Sequence, residues 1–367
     1  VYYELRNKNK KVSYDKFFKD IKKEKSSQSL LGYNYFLLLI IHLLRGYKPN
    51  SVEKIINYLF ENKAGLNFLI DTSGTTSIPK SVKVNLSNCI RHVKKKDQNK
   101  NRVWGMGYPA GSFASTQVFF QSFINKETII YLYGMNFNSS DKLFSRYNIT
   151  NLTCTPTFLS MLLINLKKVY PVVKKITTGG EKMNSSLIQS FKKIFIEAEY
   201  INIYASTEAG SLLYSNSEFF SIPKKYKNRL KIENGVLKVH KSLLNGINQN
   251  IQDWYNTNDI VEFTDDNKFK FISRSNGHLN TGGFRVLPSE IEEIILTIKG
   301  VIDAHVYGKP NSLLGTVICA DIIGKNINSK MIKTEMTNIT EKHKIPQIIR
   351  IVKTFQHTSN GKKKLLI

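Results

Sequence analysis

Thr72-Ser73-Gly74-Thr75-Thr76-Ser77-Ile78-Pro79-Lys80 follows the short apolar run Phe68-Leu69-Ile70. Hydroxyl residues gathered around a glycine, directly after a strand, offer backbone N–H and side-chain O–H donors to phosphate oxygens. Lys80 adds a positive charge. The stretch is not a Walker A loop, which needs GxxxxGK(S/T), because Gly74 has no second glycine and lysine at that spacing. Taken alone, it reads equally well as a Ser/Thr-rich surface turn.

Outward from this stretch the pattern alternates. Residues 1–64 read as helical and Lys-rich, with a strongly apolar helix over 30–44. After the hydroxyl-rich turn, strand-like runs recur at 128–132, 175–178, 200–204, 236–239 and 260–263. Helical periodicity lies between several of them, at 140–146, 157–166 and 185–194. Strands alternating with helices predict α/β layering. A compact α+β unit is expected after Arg274, with strands at 284–287, 304–307, 317–323 and 348–352 and helices at 289–298 and 330–344. The boundary falls near 274–277.

The charge balance is extreme: 54 Lys and Arg against 28 Asp and Glu give a net +26. Nucleic-acid binders gather such charge on one face or arm. Here it recurs along the chain, at 22–25, 94–96, 167–175, 224–231 and 362–364, and no helix-turn-helix, RNA-recognition core or zinc finger accompanies it. A solvated basic surface is therefore favoured, ahead of attraction to an acidic partner or anionic cofactor, with nucleic acid last. Cys89, Cys154 and Cys319 are far apart and form no CxxC pair, which fits a reducing compartment and a cytoplasmic protein. Residues 1–11 are polar and charged, unlike a signal peptide. The longest apolar run, 35–44 with His42 inside it, is far short of the ~20 residues of a membrane span and reads as a buried helix.

The hydroxyl-rich stretch resembles the phosphate loop of the adenylate-forming (ANL) superfamily of acyl- and aryl-CoA synthetases, adenylation domains and luciferases, whose pattern is (S/T)SG(S/T)TGxPK. Further motifs follow in the family's order. Thr178-Gly179-Gly180-Glu181 is similar to the adenine-side glycine turn, Tyr204-Ala205-Ser206-Thr207-Glu208 to YGxTE, and Thr257-Asn258-Asp259 to TGD. Ser273-Arg274-Ser275-Asn276, then Asn280-Thr281-Gly282-Gly283-Phe284-Arg285 and Glu290-Ile291-Glu292, resemble GRxD…KxxGxRVxxxEIE, and Thr358-Ser359-Asn360-Gly361-Lys362 resembles the closing TxxGK.

The resemblance implies an α/β protein with a large N-terminal adenylate-forming domain of layered β-sheets and helices, residues 1–275. A small, mobile α+β C-terminal domain, residues 276–367, would turn on a hinge at Asn276 and carry the catalytic Lys362. The implied activity is AMP-forming ligation: a carboxylate attacks the α-phosphate of ATP, pyrophosphate leaves, and the acyl-adenylate passes to a thiol. Charge builds on phosphate oxygens, so preorganised donors and cations carry such catalysis. By the resemblance, Thr72, Ser73, Gly74, Thr75, Thr76 and Lys80 hold the β- and γ-phosphates, Gly179, Gly180 and Glu181 border the adenine, and Tyr204 stacks on it. Thr207 bonds the α-phosphate and Glu208 ligates Mg²⁺. Asp259 accepts from both ribose hydroxyls, as an acceptor-only carboxylate can, and Arg274 contacts ribose or phosphate. Lys362 bridges the carboxylate and ribose-phosphate oxygens, a contact worth at least ~2.7–4 kcal/mol in the transition state.

Several positions depart from the family pattern. Ser77, Ala205 and Asn258 stand where it has glycine, and Asn276 and Asn280 where it has an acid and a lysine. A φ > 0 requirement at Ser77 would cost ~1 kcal/mol or more. These losses raise the alternative of a degenerate nucleotide-binding relative without turnover, although Glu208, Asp259 and Lys362 are kept. Only 71 residues precede Thr72, fewer than the family usually has, so one outer subdomain is expected to be trimmed, as in compact o-succinylbenzoate-CoA ligase relatives.

The acid pocket is expected along 104–123 and after Gly179. Amino-acid adenylation domains place an Asp there, but no Asp or Glu lies between Asp97 and Glu127. A buried ammonium without a counter-charge is expensive, which argues against an α-amino acid. Tyr108, Phe113, Gln117 and Phe120 would form an apolar, aromatic-edged wall for an aryl or short acyl carboxylate, the competing reading being ordinary core. The acceptor is coenzyme A or the phosphopantetheine of an acidic acyl carrier protein, which a basic surface would steer.

Overall fold

The computed structural model describes residues 2–4, 10–13, 16, 19–20, 31–44, 47–48, 51–72, 80–93, 102–183, 185–245, 253–264, 267–274, 277, 279–281, 284–311 and 315–355. Packing divides them into two units. The first takes residues up to Arg229 together with Val239–Tyr255, and the second Leu230–Lys238 with Asn256–Thr358. Among the described residues no helix is long and apolar enough to cross a membrane.

The first unit begins with β1 (Tyr2–Glu4), β2 (Lys10–Val12), α1 (Leu31–Leu44) and α2 (Val52–Asn62). A hairpin of β3 (Asn67–Thr72) and β4 (Lys80–Asn85) follows, then the single turn α3 (Leu86–Cys89). Alternation then sets in: β5 (Val103–Met106), α4 (Phe113–Ile124), β6 (Thr128–Tyr131), α5 (Ser140–Tyr147), β7 (Asn151–Cys154), α6 (Pro156–Asn165), β8 (Lys175–Gly179), α7 (Ser185–Lys192), β9 (Glu199–Ser206) and β10 (Gly210–Ser215). The strands form one sheet in the order β10-β9-β8-β7-β5-β6-β1-β2. The pairs from β9 to β1 are parallel, and the two outermost pairs antiparallel.

Every residue of β7 is buried, as expected of a parallel strand with both faces covered. Helix starts are marked by their caps. Ser112 Oγ accepts from Ser115 N–H at the head of α4, and Thr155 Oγ1 from Phe158 N–H at the head of α6, where Pro156 supplies the first-turn φ. One apolar cluster joins α1 (Phe36, Leu37, Ile40, Leu43) to α4 (Phe119, Phe120, Phe123), with Phe36 and Phe119 stacked at 4.4 Å. A second lies among α5, α6 and α7. Because β5 has β6 on one side and β7 on the other, the strand order reverses at β5. Such a reversal opens a crevice at the carboxyl ends of the strands.

One expectation is corrected in this unit. Residues 2–4 and 10–12 are strands rather than helix, with Tyr2–Glu4 in parallel register on Ile129–Tyr131. An available sheet edge supplies main-chain partners that no local periodicity announces. Residues 113–124, for which no element was expected, form a largely buried helix.

In the second unit, β11 (Leu230–Glu233), β12 (Val236–His240), β13 (Trp254–Phe263) and β14 (Phe269–Arg274) make a four-stranded sheet, with the division between units passing through β12 and β13. A five-stranded sheet holds β15 (Leu279–Thr281), β16 (Phe284–Val286), β17 (Val301–Asn311), β18 (Gly315–Gly324) and β19 (Ile348–Ile351). Helices α8 (Pro288–Leu296) and α9 (Ser329–Ile339) cover it through Ile291, Ile295, Ile332 and Met336. The helix expected over 330–344 ends at Ile339, because Thr340 turns extended, and a separate 3-10 turn covers Lys342–Lys344.

Candidate active site

The turn between β9 and β10 carries Thr207 and Glu208. Ser206 pairs with Gly210 across the antiparallel register, so Thr207, Glu208 and Ala209 form a three-residue hairpin loop. Such loops close on a residue of positive φ, and Gly210 supplies φ +73°. A Cβ there would lie 3.4 Å from the Asn88 carbonyl oxygen. Ser206 Oγ accepts from Ala209 N–H at 3.1 Å and tightens the loop. Tyr204, Thr207 and Glu208 are all half-buried. Ala205, at a family glycine position, is plain strand backbone within β9.

Next to this turn, at the same edge of the sheet, β8 ends in Gly179, opposite Ile203. A side chain on Gly179 would approach the Ile203 carbonyl oxygen to 2.9 Å, so β8 and β9 pack this closely only with glycine there. Gly180 follows with φ +87°. Glu181 then turns its carboxylate to the head of α6, where Oε2 accepts from Thr157 N–H at 2.9 Å. Tyr108, in the loop after β5, donates its hydroxyl to the Cys154 carbonyl at 2.7 Å and reaches the Gly179 carbonyl at 3.5 Å. It is buried, and burial pushes its hydroxyl pKa well above the ordinary value.

The other two expected pocket residues lie against the start of β10. The Phe113 ring lies 3.5 Å from where a Cβ on Gly210 would stand. Gln117 spans two elements: its Nε2 donates to the Cys89 carbonyl at 3.0 Å and its Oε1 accepts from Ser211 Oγ at 2.8 Å. Phe120 is fully buried core. Tyr204, Thr207, Glu208, Gly179, Gly180, Glu181, Tyr108, Phe113 and Gln117 thus gather at the carboxyl edge around β8, β9 and β10.

In the second unit Asp259 and Arg274 face each other across β13 and β14, with Arg274 Nε donating to Asp259 Oδ1 at 3.0 Å. Asp259 N–H bonds Thr257 Oγ1, which itself donates to the Leu237 carbonyl at 2.7 Å. Asn258, at the second family glycine position with described geometry, adopts φ +61°, the left-handed conformation that Asn tolerates better than other side chains.

Thr72 and Lys80 form the last rung of the β3–β4 hairpin. Ser73, Gly74, Thr75, Thr76 and Ser77, together with Asn276 and Lys362, lie outside the described residues. Mg²⁺ is ordinarily held by one or two carboxylates together with substrate phosphates. A half-buried Glu208 at the turn offers hard oxygen donors of that kind, so the residues present fit the ion.

Sequence reasoning missed the polar side chains behind the turn, namely Asn88, Arg91 and Asn245. Asn245 is fully buried and donates through Nδ2 to the Thr207 carbonyl at 2.7 Å. No spacing rule marks a lone Asn so far along the chain from its partners.

Residues 61–236 match the family model for the AMP-binding enzyme, and residues 290–362 match that for the AMP-binding enzyme C-terminal domain. The chain is similar to a 2-succinylbenzoate–CoA ligase of Staphylococcus epidermidis, at 26% identity, over 91% of this chain and 73% of that one. Its fold is similar to that of o-succinylbenzoate CoA synthetase (MenE) from Bacillus subtilis in complex with the acyl-adenylate intermediate OSB-AMP. That match has a TM-score of 0.59 at 18% identity and covers 81% of this chain and 67% of that one. It is also similar to ATP-bound MatB from Rhodopseudomonas palustris, with a TM-score of 0.60 at 16% identity, covering 80% of this chain and 66% of that one.

Proposed function

Because this chain belongs to the adenylate-forming superfamily and is an AMP-forming acid–thiol ligase by type, we propose that it activates an aryl or short acyl carboxylate and hands it to coenzyme A. The observation that carries this reading is the placement of the Thr207–Glu208 turn beside Gly179 and Gly180 at the carboxyl edge of the parallel sheet. A nucleotide laid along that edge meets a hydroxyl, a carboxylate and a glycine turn in succession.

In this reading Thr207 Oγ1 donates to the α-phosphate and Glu208 holds Mg²⁺. The ion, when bound, neutralises charge on the phosphates. Residues 72–80 hold the β- and γ-phosphates through hydroxyls, backbone N–H groups and Lys80. Tyr204 and the Gly179–Gly180 turn flank the adenine, with Glu181 setting the position of that turn against α6. Asp259 accepts from the ribose hydroxyls, and Arg274, paired with it, orients that carboxylate and lies beside the ribose. The substrate carboxylate attacks the α-phosphorus as the bond to the pyrophosphate oxygen breaks, and Lys362 offsets the charge on both reacting groups. The thiolate then attacks the acyl carbon and AMP leaves. By the family resemblance, residues 276–367 turn on a hinge at Asn276 between the two steps.

Phe113, Gln117 and the Tyr108 loop line the acid side. With no Asp or Glu from 98 to 126, the wall suits a neutral aryl or acyl body. A net charge of +26 also favours a second acceptor, an acidic carrier protein bearing phosphopantetheine. Three free, buried cysteines are consistent with a cytoplasmic setting.

The test is ATP–pyrophosphate exchange across a panel of aryl and acyl acids, followed by thioester formation with coenzyme A or a carrier protein. Exchange with an aryl or short acyl acid, lost in Lys362→Ala, is expected. Absence of exchange for every acid overturns the reading; ATP binding that persists then favours the nucleotide-binding relative without turnover, and absence of ATP binding as well removes that alternative too.

A further inference from the structure

Three successive carbonyls of the Thr207–Glu208–Ala209 loop are each taken by a donor from Asn245 or Arg91. Asn245 Nδ2 donates to the Thr207 carbonyl at 2.7 Å, Asn245 N–H to the Glu208 carbonyl, and Arg91 Nη1 to the Ala209 carbonyl at 3.3 Å. The donors are themselves locked. Asn245 Oδ1 accepts from Asn88 Nδ2 at 2.9 Å and from Asn85 N–H at 3.4 Å. Arg91 Nη2 donates to Asn88 Oδ1 at 2.7 Å and to the Leu243 carbonyl at 3.1 Å, while Asn88 Nδ2 also reaches the Leu244 carbonyl at 3.3 Å.

We propose that Asn245 and Arg91 are positioning residues that fix the Thr207–Glu208 loop for the nucleotide phosphates and their Mg²⁺, and so couple that loop to the end of the β3–β4 hairpin. The inference rests on the ligase reading above. Asn245 is 0% exposed, so its amide has no water to turn to and its hydrogen bonds define one orientation. A fully buried amide joining two loops is a specifying feature, since an apolar residue there would strand the Thr207 carbonyl. The hairpin strand β4 leads directly into Asn85, which caps α3 by accepting from Ser87 N–H at 3.0 Å, and Asn88 and Arg91 follow at once. One network therefore ties the Asn67/Asn85 end of that hairpin, opposite its Thr72/Lys80 rung, to the backbone of the loop carrying Thr207 and Glu208. With the carbonyls so held, the loop residues cannot rotate to follow a misplaced phosphate. A displacement of about 1 Å at such a site lowers a rate by roughly a hundredfold.

Asn245→Asp keeps the side-chain shape but sets an acceptor against the Thr207 carbonyl, and Arg91→Gln removes the bond to Ala209 with less disturbance of the interior. The measurement is ATP–pyrophosphate exchange on the full chain, with kcat expressed per folded molecule and the Mg²⁺ concentration varied, beside the hydrogen-exchange rates of amides 206–210. For Asn245→Asp, kcat is expected to fall roughly a hundredfold, with a higher Mg²⁺ requirement and faster exchange at 206–210. Arg91→Gln should show the same pattern, weaker, and decides the matter where Asn245→Asp does not fold. An active wild type beside variants with unchanged kcat per folded molecule and unchanged Mg²⁺ dependence overturns the positioning role alone. A wild type without exchange for any acid overturns the ligase reading, and the role with it.

Discussion

The carboxylate of Glu181 accepts a hydrogen bond from the backbone N–H of Thr157 at 2.9 Å, so the residue that follows the Gly179–Gly180 turn anchors the first turn of α6. An acid near a helix N-terminus meets both unpaired N–H groups and the positive end of the helix dipole. Glu181→Ala is therefore expected to cost about 1 kcal/mol, and Glu181→Gln less, because its carbonyl still accepts. Urea unfolding midpoints measure both, and an alanine variant as stable as the wild type counts against the anchor.

Glu127 is buried between two donors, Trp104 Nε1 at 2.6 Å and Arg102 Nη1 at 3.0 Å. Removing the cation takes a charge partner from a buried carboxylate, which is worse than removing the pair. Arg102→Met should destabilise the chain by about 3 kcal/mol, and the double variant Arg102→Met/Glu127→Gln by less. Thermal unfolding of the two variants side by side decides it. A double variant no more stable than the single one contradicts the account.

Asn258 sits at φ +61° one residue before Asp259. Alanine in that conformation costs about 1–2 kcal/mol, whereas glycine is unstrained. Asn258→Ala should lower the unfolding midpoint and Asn258→Gly should leave it close to the wild type. Equal midpoints for the two variants would show that the positive φ carries no penalty here.

Burial, reinforced by Asp141 for Tyr170 and by Asp321 for Tyr307, pushes both phenols from 10.0 up to about 12. A folded pKa above the unfolded one means that the native state holds its proton longer. The stabilisation is complete below pH 10.0 and is lost as the pH rises through about 12. Alkaline titration followed by tyrosinate absorbance and by circular dichroism should show a late ionising set that appears together with unfolding. Full ionisation near pH 10 with the fold intact would refute it.

Much of the fold was legible. The strands at 128–131, 175–179 and 199–206, the helices at 140–147, 156–165 and 185–192, and the α+β pattern after Arg274 follow hydrophobic period and capping residues. β5 and β7 were not legible, because Val-Trp-Gly-Met and Asn-Leu-Thr-Cys are short and mix apolar with small or polar residues. They become strands by lying between neighbours in a parallel sheet. Tyr2–Glu4 and Lys10–Val12 escaped because each is only three residues long and takes its partners from the edge of the sheet.

The site divides along the same line. Motif order in the sequence determined the chemistry, since Thr207-Glu208, Gly179-Gly180 and Thr257-Asn258-Asp259 are local groupings whose residue types speak for themselves. Local groupings survive in sequence because the backbone alone brings their side chains together. Tertiary structure alone decided what holds them: Glu181 turning to Thr157, Gln117 joining Cys89 to Ser211, and Asn245 and Arg91 fastening the Thr207–Ala209 carbonyls. Those contacts span long separations, 118 residues from Arg91 to Ala209 among them. They form because buried carbonyls and amides must find partners wherever the folded chain supplies them.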